Sequence, residues 1–265
     1  MTRSPVQRGP APRRRPRFLA ALLATLAAVG WAPAMAASLQ VAPILVELED
    51  GMNAEALWLT NSGEAPIRAQ VRVLAWSQAG SEDELQPSRD LLASPPILEI
   101  APGERQLVRI VRPDPGPVQA EQAFRLLVDE LPSPGQEVSS GLQFLLQYSI
   151  PVFVLPPGVT PRNAPGPSAP TDASALSAAV TDAGARAMLT VINRGNQRVR
   201  LSALASVDAS GNETMLVPGL VGYVLAGQRM QWPLEVTADA LGGQRLKARL
   251  NDDRESQILP LASHP

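Results

Sequence analysis

The stretch LQFLLQYSIPVFV, Leu142 to Val154, decides how this chain is read. Its even-numbered positions are Leu142, Phe144, Leu146, Tyr148, Ile150, Val152 and Val154, apolar from end to end. Side chains of an extended strand alternate between two faces, so these positions line one continuous apolar face. Gln143, Gln147 and Ser149 keep the other face mixed, and the pattern predicts a long, half-buried strand. A lone strand cannot hide such a face. It must pack on its own domain or on another protein, and the choice between the two decides what the chain does.

The flanks of this stretch point to an all-β chain in two parts. Upstream, the pattern predicts strands near 38–48, 54–60, 67–76, 96–100, 105–112, 122–131 and 141–155. They are separated by Asp50-Gly51, Asn61-Ser62-Gly63, Pro95-Pro96 and Ala101-Pro102-Gly103, residue types that turns select for their backbone geometry. About seven strands in roughly 120 residues is the count of an immunoglobulin-like sandwich. Downstream, PPGVTPRNAPGPSAP (Pro156 to Pro170) has no apolar periodicity and reads as a semi-rigid linker over 157–170. Beyond it the strand pattern resumes at 175–180, 186–193, 197–207, 213–224, 228–236 and 244–250. Asn193-Arg194-Gly195-Asn196 there takes a turn position much like that of Asn61-Ser62-Gly63. Ala173 to Ala187 is alanine-rich, but Gly184 interrupts it, so strand-turn-strand is expected there and not a helix. The predicted organisation is two immunoglobulin-like β-sandwiches in tandem, 37–156 and 171–260.

The start of the chain reads as an export signal. Six arginines between Arg3 and Arg17 stand without an acid, an apolar run follows from Phe18 to Val29, and Ala34-Met35-Ala36 then offers small residues for cleavage. That order is a secretory signal peptide over 1–36, cut after Ala36. The apolar run is shorter than the ~20 residues a spanning helix needs. The twin arginines sit one residue off the usual twin-arginine spacing, which favours general export. Without these six arginines, the 23 basic and 25 acidic residues of the whole chain become 17 and 25, a net charge of −8. An acidic chain of this kind does not read as a nucleic-acid binder. It holds no cysteine, so an oxidising compartment brings no disulfide and the core must hold by packing.

Little in the sequence supports catalysis. His264 is the sole histidine and the penultimate residue, and the absence of cysteine removes thiol nucleophiles and thiolate metal sites. Glu82-Asp83-Glu84 and Asp252-Asp253 lie among polar residues and read as solvated loops. Gly103 and Gly242-Gly243 are turn glycines without a phosphate-binding motif. The chain is therefore expected to be no enzyme, with no cofactor and no metal.

Five segments, in order, resemble the first domain of periplasmic, PapD-like pilus-assembly chaperones. They are SLQVAP (Ser38 to Pro43), LTNSGEAPIRAQVRVLAW (Leu59 to Trp76), SPPILEIAPGERQLVRI (Ser94 to Ile110), FRLLVDELP (Phe124 to Pro132) and GLQFLLQYSIPVFV (Gly141 to Val154). From residue 171 onward the resemblance is limited to VINRGNQRVRLSAL (Val191 to Leu204) and VGYVLAGQRMQWPL (Val221 to Leu234). The first-domain details are nearer the Csu or spore-coat-protein-U branch than the P-pilus and type 1 branch. The resemblance implies two immunoglobulin-like domains in a boomerang arrangement. It also implies a periplasmic chaperone that lends a strand to secreted pilin-like or spore-coat-U-like subunits and hands them to an outer-membrane usher. Such donation is strand addition, with main-chain bonds giving affinity and alternate side chains filling pockets.

Carried onto this sequence, the donated side chains are Leu142, Phe144 and Leu146, with Tyr148 as a fourth, while at least part of 150–154 packs inward. A greasy edge of this kind also implies self-association of the free protein through the donor strand. Members of the P-pilus and type 1 branch hold the subunit's terminal carboxylate with an arginine on the first strand and a lysine late on the last. The matching positions here are Leu45 and Pro151, which cannot make a charge-assisted bond. Arg89, Arg105, Arg109, Arg112 and Arg125 are the other arginines considered for a carboxylate, and Arg89 is the one expected to serve. The competing reading is a structural immunoglobulin-like adhesin or envelope module whose strand 141–155 packs only inward.

Overall fold

In the computed structural model, the residues described are 39–132, 145–162, 164 and 170–261. The expected signal segment 1–36, Leu142, Phe144 and His264 lie outside them. The first half contains β1 (Leu39–Ala42), β2 (Val46–Leu48), β3 (Ala54–Asn61), β4 (Ile67–Ala79), β5 (Glu82–Pro87), β6 (Leu92–Ser94), β7 (Ile97–Ile100), β8 (Arg105–Val111), β9 (Gln122–Leu131) and β10 (Gln147–Val154). One sheet runs β1-β3-β8-β6; the facing sheet runs β2-β10-β9-β4-β5, with β7 also paired to β4. The second half contains β11 (Leu176–Asp182), β12 (Ala187–Asn193), β13 (Val199–Val207), β14 (Glu213–Val224), β15 (Arg229–Leu234), β16 (Arg245–Leu250) and β17 (Ser256–Ile258). Its sheets are β11-β12-β15 and β14-β13-β16-β17. Each half is thus a sheet-on-sheet sandwich, and the all-β, tandem immunoglobulin-like reading holds. Among the described residues no helix is long and apolar enough to cross a membrane.

Period-two patterning builds both cores. In β4, Ile67, Ala69 and Val71 point inward while Arg68, Gln70 and Arg72 alternate with them, and Arg72 reaches Asp129 on β9 at 2.8 Å. Leu57, Leu59, Val108 and Ile110 of one sheet meet Val71, Leu126, Val128, Ile150, Val152 and Val154 of the other in a single cluster. Leu189, Val191, Leu201, Leu204, Leu246 and Leu250 form the equivalent cluster in the second half.

Three differences from the sequence expectation bear on the site. The single strand expected over 38–48 breaks at Pro43–Leu45: β1 pairs with β3 in one sheet, and β2 pairs parallel to β10 in the other. Strands β5, β6 and β17 carry too little apolar alternation to be seen in the sequence; every residue of β5 is exposed. The strand expected over 141–155 is regular from Gln147 among the described residues, and it is not half-buried throughout. From Ile150 onward both of its faces are covered, because the second sandwich packs on the odd-numbered face at Phe153 and Leu155.

Candidate functional site

The backbone of β10 is paired on one side along its whole length and on the other only in part. Toward β9 the antiparallel register runs unbroken from Gln147↔Asp129 to Val154↔Gln122. Toward β2 it begins at Val152↔Val46. The Leu146 carbonyl accepts from the Glu130 N–H at 2.9 Å, and the Leu155 N–H donates to the Leu48 carbonyl at 2.9 Å. Even-numbered backbone groups therefore face β9 and odd-numbered ones face the β2 side. The N–H and C=O of Gln147 and Ser149 are left on an edge that no described strand occupies. Pro151 has its nitrogen on this same side, so it removes no bond from the β9 ladder and provides no donor through which β2 pairing could extend.

Exposed apolar side chains flank this edge. Ile44, in the segment between β1 and β2, is 78% exposed, more than any other large hydrophobic among the described residues. Leu145 is exposed and Leu146 half-buried at the other end. Tyr148, expected as the fourth donated side chain, is half-buried. It packs against the core of its own sandwich, and its hydroxyl donates to the Leu39 carbonyl at 2.5 Å. Of the donor set expected from sequence, Leu146 and Tyr148 are both half-buried, and Leu142 and Phe144 lie outside the described residues.

The far end of β10 enters a small core between the sandwiches. Trp76, Phe153, Leu155 and Leu225 are buried there, with Leu45, Val159 and Tyr223 packed against them. Trp76 and Tyr223 meet edge-on at 5.3 Å between centroids, and the Arg125 guanidinium lies 3.8 Å above the Trp76 ring. Burial pushes the Arg125 pKa down, with Tyr223 and Asp83 opposing that shift. The Gln78 side chain donates to the Tyr223 carbonyl and accepts from the Leu225 N–H, both at 2.9 Å.

Beside this core, Arg198 of the second sandwich pairs with Glu121 at 2.5 Å and with Glu47, all three side chains being almost fully buried. Its guanidinium also lies 3.6 Å from the Phe153 ring centroid. The Arg162 N–H donates to Glu47 at 2.7 Å. Burial pushes the Glu121 carboxyl above the usual carboxylate range; Arg198 pulls it back and Glu47 adds to the rise. A cleft cavity of about 870 Å³ opens here, lined by Leu45 and Tyr223 and by Arg162, Arg198, Arg200 and Arg254 among acidic residues. Arg200 pairs with Asp252, and Arg162 lies 3.8 Å from Asp253.

The structure separates the arginines that the sequence had grouped. Arg105 lies over Trp58, Arg125 over Trp76, and Arg112 is buried and donates to the Gly116 carbonyl. Arg109 and Arg89 are exposed, and neither makes an ion pair within the described residues. Arg89 sits in the bend between β5 and β6 and does not line the cleft cavity. The Glu47, Glu121 and Arg198 group escaped the sequence reading because its members lie 77 and 151 positions apart.

Residues 38–160 match the family described as pili and flagellar-assembly chaperone, PapD N-terminal domain. The chain also superposes on one chain of the CsuC–CsuE chaperone–tip adhesion subunit pre-assembly complex from archaic Csu pili of Acinetobacter baumannii. That match has a TM-score of 0.66 at 25% identity, covering 86% of this chain and 100% of the other. The first sandwich of this chain belongs to the PapD-like pilus-assembly chaperone family. The E. coli chaperone DraB matches at 20% identity and a TM-score of 0.55, covering 86% and 98% of the two chains. A Salmonella enterica SafA pilin–SafB chaperone structure matches at 14% identity and 0.53, covering 85% and 96%. These two show the shared fold alone. No curated protein matches the chain. The match to a Csu chaperone agrees with the branch that the first-domain sequence resembles. PapD-like chaperones work in the periplasm and form a family of chaperones, not of enzymes.

Proposed function

We propose that this chaperone captures incomplete pilin-like or spore-coat-U-like subunits by lending them β10 and the apolar residues before it, then passes them to an outer-membrane usher. The observation that carries this reading is the vacant edge at Gln147 and Ser149, where β2 stops at Val46 and Pro151 lets the ladder go no further. A subunit strand laid there gains main-chain bonds from that edge, and Leu142, Phe144 and Leu146 fill the groove left by its missing strand. Burying each such side chain is worth about 1.5 to 3 kcal/mol. Arg89, exposed and without an ion pair among the described residues, meets a subunit carboxylate in this reading. The chaperone reaches the periplasm on the signal segment 1–36, removed after Ala36, and releases its cargo when another subunit's strand takes the place of its own.

The test is co-expression with a tagged, secreted pilin-like subunit, followed by purification of the complex. Phe144→Asp lowers the captured chaperone at least tenfold and leaves its melting temperature unchanged. Capture at the wild-type level rules out donation; loss of folding in this variant points to a module whose strand packs only inward.

A further inference from the structure

The vacant edge of β10 ends at an apolar side chain that nothing in the fold requires to be exposed. Ile44 is 78% exposed and precedes β2 by two positions. Carried back from Val46↔Val152, the parallel register brings it level with Ile150, beside the open backbone of Ser149. Pro151 has no N–H to give the Ile44 carbonyl, and among the described residues no strand continues the line of β2 along the edge. A strand docked on Gln147 and Ser149 takes up that line. Its end nearest the cleft therefore runs into the segment Pro43 to Leu45.

The two segments that flank that meeting point carry no charge. No charged residue occurs from Ser38 to Val46 or from Val138 to Leu155. Three of the four cleft guanidiniums beyond it already have partners: Arg198 holds Glu47 and Glu121, Arg162 lies against Asp253, and Arg200 holds Asp252, while Arg254 makes no ion pair among the described residues. We propose that Ile44 is the stop for the docked subunit strand, fixing its register and holding its end by apolar burial, not by charge pairing in the cleft. This rests on the donor-strand reading above and assigns a positioning residue to the same site.

The experiment uses the full chaperone and the same co-expressed tagged subunit. Ile44→Asp and Ile44→Ser each lower capture, the aspartate by about tenfold or more, with the melting temperature of the free chaperone unchanged. Ile44→Val retains capture. Arg200→Gln and Arg254→Gln also retain it, and the wild-type complex survives 0.5 M salt, on the order of a threefold shortening of the screening length relative to 0.05 M. Wild-type capture by both Ile44 variants overturns the inference, as does loss of capture in the two arginine variants. If Phe144→Asp abolishes capture while Ile44→Asp preserves it, donation stands and the stop does not. A wild-type chaperone that captures no subunit overturns both.

Discussion

Two asparagines at matching places in the two sandwiches do the same work. The Asn61 side-chain nitrogen donates to the Ala65 and Ile100 carbonyls at 2.8 and 3.0 Å, and its oxygen accepts from the Gly63 N–H at 2.9 Å. Asn193 donates to the carbonyls of Gln197, Val224 and Leu225 at 2.7, 3.1 and 3.1 Å and accepts from the Gly195 N–H at 2.9 Å. Both side chains are buried, so each satisfies main-chain groups that water does not reach. Asn193 also fixes the carbonyl of Leu225, a residue of the small core between the sandwiches. Asn193→Ala leaves these carbonyls unpaired and costs about 1–3 kcal/mol in urea unfolding. A change below half a kcal/mol would show that the turn holds itself. The sequence pointed to this pairing through the shared Asn-x-Gly spacing; it gave no sign of the long-range partners, Ile100 and Val224, which only the folded chain brings near.

At the scale of the element, period-two reading worked where one face meets one core and failed where a strand meets two bodies. In β10 the even positions Ile150, Val152 and Val154 are core, as the alternation implied. Phe153 and Leu155 break the alternation because a second sandwich covers them, and a single strand's pattern holds no record of that neighbour. The break in the first strand was equally hidden: Leu39 to Leu48 reads as one strand, and only the opposing sheets divide it into β1 and β2. The apolar pattern of the expected donor residues was legible, whereas the open edge beside β10 depends on where pairing with β2 begins. Strand β14 shows a further limit of pattern reading. Its register with β13 shifts between Leu201 and Ser202, next to Gly222, where a Cβ would lie 2.7 Å from the Trp232 ring. A methyl group there forces that indole from its place, so Gly222→Ala lowers stability by about 1–3 kcal/mol. An unchanged urea midpoint would mean that the Trp232 ring moves aside freely.

At the scale of the whole molecule, one buried cation at the joint between the sandwiches serves two acids. Arg198 lies between Glu47 and Glu121 from the first sandwich, while Arg162 approaches Glu47 through its main-chain N–H and is itself matched by Asp253. With one buried guanidinium between two buried carboxylates, desolvation is the largest influence on Glu121 and raises its pKa, and Glu47 adds to the rise despite Arg198. A carboxyl raised in this way binds its proton more tightly in the folded chain than in the unfolded one. The contribution of Glu121 to stability therefore grows as pH falls from neutral through its raised value, and levels off once pH drops below the unfolded value. The slope within that window is at most about 1.4 kcal/mol per pH unit. Glu121→Gln removes the titrating group and keeps its shape. Urea unfolding of the two proteins between pH 7.5 and 4.5, a window on the order of the usual carboxylate range and above, then gives curves that diverge, the wild type gaining on the variant as acid is added. Parallel curves would mean that Arg198 compensates Glu121 fully and that the joint between the sandwiches is indifferent to pH.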